Sequence, residues 1–79
     1  MQPAKKLRYA VVQRLRMIDV LLDEFGYVNR SVLCSYFGVS SVQASHDLKE
    51  YIALAPNNLS YDPRSKRYKR NPYFKLVFP

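Results

Sequence analysis

Two helical patterns in this chain are joined by only three residues, and that link restricts the fold more than any other feature. In "SVLCSYFGVSSVQASHDLKEY", Ser31 to Tyr51, the spacing of Leu33, Tyr36 and Phe37 predicts the buried face of one helix. Ala44, Leu48, Tyr51 and Ile52 predict that of the next. Gly38 stops the first helix, and Ser40 is the expected N-cap of the second. Gln43, at the third helical position, completes an S-x-x-Q capping box. A connection this tight forces the helices to cross steeply, so that the second projects from the body of the domain.

The flanking segments supply the rest of a small domain. Leu7, Val11, Leu15, Ile18, Leu22 and Phe25 recur at spacings of four and three, which predicts a long helix from about Lys5 to Phe25, stopped by Gly26. Val12, Val20 and Leu21 widen its stripe, for packing on the wing or the C-terminal tail, or for a dimer contact. Tyr27-Val28 suggests a short strand, and Asn29 an N-cap, with Val28 and Leu33 placed to form a hydrophobic staple. "NLSYDPRSKRYKR" predicts a hairpin: Leu59 and Tyr61 alternate with Ser60, Asp62-Pro63 opens a turn, and Tyr68 returns on the inner face. Arg67 and Lys69 are expected to point outward.

The predicted fold is mainly α with a small β-hairpin: a winged helix-turn-helix of three helices plus wing. It is one domain over 1–79, with the long helix and strand in 1–28, the helix-turn-helix in 29–55, the wing in 58–70 and an apolar tail in 71–79. The tail, "NPYFKLVFP", is too apolar to be left in water, so Tyr73, Phe74, Leu76, Val77 and Phe78 should be buried. They have three candidate partners: the first helix, a second protomer, or a further domain.

Charge narrows the choice of partner. The formal net charge is +7 in 79 residues, which favours nucleic acid, an anionic surface or an acidic protein. Residues 56–79 concentrate it, with Arg64, Lys66, Arg67, Lys69, Arg70 and Lys75 against Asp62 alone. No apolar run approaches the roughly 18–20 residues that span a bilayer, so no membrane partner is expected and a cytoplasmic location is. The single Cys34 cannot form an internal disulfide and is expected as a small buried filler; with one histidine it cannot build a zinc site. No cofactor is expected.

The projecting helix carries Ser41, Val42, Gln43, Ser45, His46 and Lys49 on its solvent side, with Ser40 at its cap. Gln pairs in bidentate fashion with adenine, Ser, His and Lys reach phosphates or guanine N7 and O6, and Val touches a thymine methyl. The bland alternative is a solvated face with Gln43 spent on its capping box. A helix-turn-helix before this face and a basic wing after it tell against that alternative. A catalytic His46 would need a nucleophile and a shaped pocket, and the adjacent Ser45 falls on a different part of the helix surface, so catalysis is not expected. Asp47 and Glu50 would repel phosphate and are expected off the DNA side; Asp47 is read as structural, paired with Arg30 or Lys49 or orienting a DNA-binding cation. Arg64, Lys66, Arg67, Lys69 and Arg70 form a backbone-contact signal in the wing, against the alternative of a charged edge that deters strand pairing. Tyr61 and Tyr68 are read as wing packing.

The pieces "VNRSVL", "YFGVSSVQAS-DL", "LAPNNLSYD", "RYKR" and "FKLVF", in this order, carry a resemblance over about Arg14 to Phe78. The chain resembles the N-terminal winged-helix domain of WYL-domain transcriptional repressors that control bacterial anti-phage systems of the BREX and CBASS types. The resemblance implies a dimer on an inverted-repeat operator, with DNA-facing positions at Ser41, Gln43, Ser45 and His46 and at Arg64, Lys66 and Arg67. It also implies a following WYL domain that senses a ligand. This sequence stops where that domain would begin, so no small-molecule ligand is expected here, whether the chain is a stand-alone regulator from a mobile element or a fragment. The expected function is sequence-specific binding of double-stranded DNA as a repressor. The homodimer contact is expected through Val12, Val20, Leu21, Phe74, Leu76 and Phe78. The rival reading is a protein-interaction winged helix acting as an antirepressor.

Overall fold

The computed structural model describes residues 9–78; the expected start of the first helix, with Lys5 and Leu7, lies outside them, as does Pro79. Helix α1 (Tyr9–Phe25) leads through Gly26 into strand β1 (Tyr27–Val28), followed by α2 (Arg30–Phe37), α3 (Ser41–Leu54), β2 (Leu59–Asp62) and β3 (Arg67–Arg70). The strands form one antiparallel sheet in the order β1-β3-β2, so the wing hairpin is extended by the strand that precedes the helix-turn-helix. This is the winged helix-turn-helix that the sequence predicts.

Local chemistry explains the element ends. Asn29 Oδ1 accepts from the Val32 amide at 2.9 Å, and Val28 and Leu33 are both buried, as the staple requires. Gly38 has φ +66, the left-handed region that L side chains avoid, and its amide closes α2 on Cys34 O at 2.8 Å. That single residue turns the chain within the short link. At the end of α1 the Leu22 and Asp23 carbonyls accept from Arg70 Nη1 at 3.2 and 2.9 Å, Leu22 O also taking the Gly26 amide at 3.0 Å, which ties the wing to the long helix.

The core comprises Leu15, Ile18 and Leu22 from α1, Val28, Leu33, then Ala44, Leu48 and Tyr51 from α3, and Leu59. Cys34 is partly buried against it, as a filler should be. Two expected core residues are not there. Phe25 is 66% exposed, because it sits on the last turn at the edge of the stripe and the chain leaves at Gly26. Tyr36 is 64% exposed: Phe37, four residues after Leu33, takes the inward position, and Tyr36 lies edge-on to it with ring centroids 4.9 Å apart.

Asp19, which the sequence shows only as a break in an apolar run, is the buried hub that docks the tail. It accepts from the Tyr51 hydroxyl and from the amides of Val77 and Phe78 at 2.7 and 2.8 Å. Asn58 adds a second tie, with Nδ2 donating to Tyr51 Oη at 3.0 Å and to Lys75 O at 2.7 Å, and Oδ1 accepting from the Lys75 amide at 3.0 Å. Phe74, Val77 and Phe78 thereby pack on the core, whereas Tyr73 and Leu76 stay exposed, which corrects the expectation that all five are buried.

Burial, and then its bond to Asp19, raise the Tyr51 pKa well above its ordinary value of 10.0. The folded state therefore holds this proton more tightly than the unfolded chain does. The associated stability is complete below pH 10 and is lost as pH rises from there toward the raised folded value. Tyr51→Phe should flatten the decline in melting temperature above pH 10, at a cost of about 1–3 kcal/mol at neutral pH, read by thermal melts across pH.

Candidate nucleic-acid interface

Helix α3 is held by Ala44, Asp47, Leu48 and Tyr51, all buried. At 100° per residue the positions opposite that face are Val42, His46 and Lys49, and all three are exposed. Gln43 stands on one shoulder, toward α1, and Ser41 and Ser45 on the other, toward α2 and the wing. The sequence-predicted face is thus one surface with a front and two sides.

The sides are tied to the protein. Ser45 Oγ accepts from Arg30 Nη1 at 3.2 Å. Ser40 Oγ accepts from the Gln43 amide N–H at 3.1 Å, the forward half of the capping box. The Gln43 side chain does not reach back to Ser40; its Nε2 donates to Asp47 Oδ1 at 3.0 Å. Asp47 in turn pairs with Arg14 of α1, Nε to Oδ2 at 2.5 Å, in place of the expected Arg30 or Lys49. It is buried, so it puts no negative charge on the outer face.

The wing divides its cations. Arg67 is half-buried with its guanidinium 4.0 Å from the ring centre of Tyr27, a cation–π contact that exists because β1 pairs with β3. The expectation that it points freely outward is therefore corrected. Lys69 Nζ lies 3.0 Å from Asp62 Oδ2. Arg64 and Lys66, at the tip, are exposed and have no acidic partner among the described residues. Tyr61 and Tyr68 face each other across the strands with centroids 4.8 Å apart, which is packing as expected.

Asp62 organises the tip, accepting from the Arg64 amide at 3.1 Å and the Ser65 hydroxyl at 2.8 Å, while the Lys66 amide closes the turn on Asp62 O at 2.8 Å. These bonds, that of Lys69 foremost, hold its carboxyl below the ordinary range. Lys66 itself adopts φ +58, a left-handed conformation that four-residue hairpin loops use to reverse direction.

Between the start of α2, α3 and the wing lies a cleft of about 410 Å³, lined by Arg30, Ser31, Ser45, Tyr61 and Lys66 among others. Two cations, several hydroxyls and no carboxylate line it, which suits a phosphodiester. Arg30 was missed in the sequence reading; its position directly after the Asn29 cap, at the open end of a helix, is the signal that marks it.

The family model for the BrxR transcriptional regulator winged helix-turn-helix domain matches residues 10–79. The chain is 44% identical to a DNA-binding transcriptional repressor, CapW, of Pseudomonas aeruginosa over 82 residues, covering 99% of this chain and 27% of that protein. It is 45% identical to the CapW repressor of Escherichia coli strain KTE188 (90% of this chain, 24% of the relative) and 44% to that of Stenotrophomonas maltophilia (94% and 25%). The chain thus spans about a quarter of the length of the curated relatives it matches. It belongs to the family of BrxR transcriptional regulator winged helix-turn-helix domains.

Proposed function

We propose that this chain binds double-stranded DNA in a sequence-specific way as the reading module of a transcriptional repressor. In this reading α3 enters the major groove with Val42, His46 and Lys49 foremost and Ser41, Gln43 and Ser45 beside them. Arg64 and Lys66 rest on the sugar-phosphate backbone, Arg67 and Lys69 lend charge from behind, and the cleft beside Arg30 takes a phosphate. The observation that carries the reading is the exposed polar front of α3 beside two unpaired tip cations, while Asp47 and Asp62 are each bound to a cation of their own. The relatives' names as DNA-binding repressors support it. No helix of the described residues is long and apolar enough to cross a membrane, in keeping with a cytoplasmic protein at its operator.

The finer proposal is a homodimer on an inverted repeat, with the anti-phage control that the family resemblance implies. Of the six candidate contact residues, Leu21, Phe74 and Phe78 pack on the chain's own core and Val12 is half-buried; Val20 and Leu76, at 46% and 42% exposure, remain for a partner. The antirepressor alternative draws on the apolar tail and the wide stripe of α1, and docking of that tail onto the core removes the first of these supports.

His46→Ala tests the groove assignment. His46 is exposed, so circular dichroism should be unchanged while binding to a cognate duplex weakens by about 1–3 kcal/mol, with relaxed preference at one or two positions. Binding and preference equal to wild type would remove α3 from the groove.

A further inference from the structure

The side-chain amide of Gln43 has a donor end and an acceptor end, and the end that faces outward decides which base it can read. Asp47 makes that choice. Its carboxylate is 1% exposed and is held by Arg14 through Nε at 2.5 Å and Nη2 at 3.3 Å. A carboxylate gripped by a guanidinium is ionised and offers only acceptors, so only the NH₂ end of Gln43 can face it. That is the arrangement seen, with Nε2 donating to Asp47 Oδ1 at 3.0 Å. The Gln43 carbonyl is turned away, and it accepts no hydrogen bond among the described residues.

We infer that the Arg14–Asp47 pair makes Gln43 an acceptor-presenting reader, specific for a base with an exocyclic amino group in the major groove: adenine through N6 or cytosine through N4. The inference rests on α3 lying in the groove. The second Nε2 hydrogen is compatible with N7 beside the adenine amino group, so adenine is preferred over cytosine. An unconstrained glutamine can rotate its amide and donate from Nε2 to thymine O4 or guanine O6 as well; here the outward Oε1 meets those two acceptors and is repelled by them. Arg14 and Asp47 are then positioning residues for specificity, and one of them lies on α1, outside the helix-turn-helix.

The test begins with selection of binding sequences from a randomised duplex library at low salt by the intact chain. Gln43→Ala should lose preference at one position, and wild type should require adenine, or less often cytosine, there. Purine in place of that adenine keeps N7 and removes the amino group. It should weaken wild type about tenfold and leave Gln43→Ala unaffected. Asp47→Asn, which frees the amide to rotate, should accept thymine or guanine at that position within about threefold, with circular dichroism and non-specific DNA binding preserved.

Guanine or thymine at the Gln43-dependent position, no cost from purine, or full discrimination retained in a folded Asp47→Asn variant overturns the inference and leaves the groove reading intact. If Asp47→Asn fails to fold, wild type itself decides: a locked amide is weakened about tenfold by thymine or guanine at that position, and a free one takes either within about threefold. No enriched sequence, or no position lost in Gln43→Ala, overturns the groove reading and the inference together.

Discussion

Asp19→Ala should cost about 3 kcal/mol or more and lower the melting temperature by more than about 12 °C. The substitution strips the acceptor from three donors at once, the Tyr51 hydroxyl and the amides of Val77 and Phe78. All three then stay in a site with little access to water. Domains of this length have only about 4–12 kcal/mol of stability in total, so the loss is a large share. Asp19→Asn keeps one acceptor oxygen and should cost less. Circular dichroism melts measure both variants, and a wild-type melting temperature for Asp19→Ala would mean that the tail is not held through this carboxylate.

Replacing Arg64 and Lys66 together with Gln should weaken binding to every sequence about equally. The salt slope of the binding constant should flatten by about 0.9 per lost phosphate contact. Gln keeps the length of the side chains and removes their charge, so the hairpin built by Asp62 should survive. Arg67→Gln should change the slope less, because its guanidinium already stacks on Tyr27. Binding titrations from about 50 to 200 mM salt separate the two cases. Equal slopes for wild type and the double variant would take the tip off the backbone.

The contrast between these two predictions shows what was legible in the sequence. Periodicity and capping residues report local structure, and they placed α2 and α3 well: Asn29 and Ser40 cap as expected, and Gly38 takes the left-handed turn. They report poorly on partners distant along the chain. Asp19 reads in the sequence only as a charge within an apolar run, because its three donors come from Tyr51 and the tail. Asp47 was given a neighbour in α2 or α3, yet its partner Arg14 lies on α1. Arg67 and Lys69 read as free cations because the pairing of β1 with β3, and the bridge to Asp62, depend on the assembled sheet. The front of α3 needed no such knowledge; its exposure follows from a 3.6-residue period and a known core stripe.

The most direct measurement is a footprint of the purified chain on the DNA upstream of its own gene, at low salt, with wild type beside a His46→Ala variant. Wild type should protect a defined site, arranged as half-sites about one helical turn apart if the dimer proposal holds, and His46→Ala should need about 5–150 times more protein to protect it while still retarding bulk DNA. Uniform protection of all sequences by both proteins, or none by either at stoichiometric concentration, would contradict sequence-specific reading by α3.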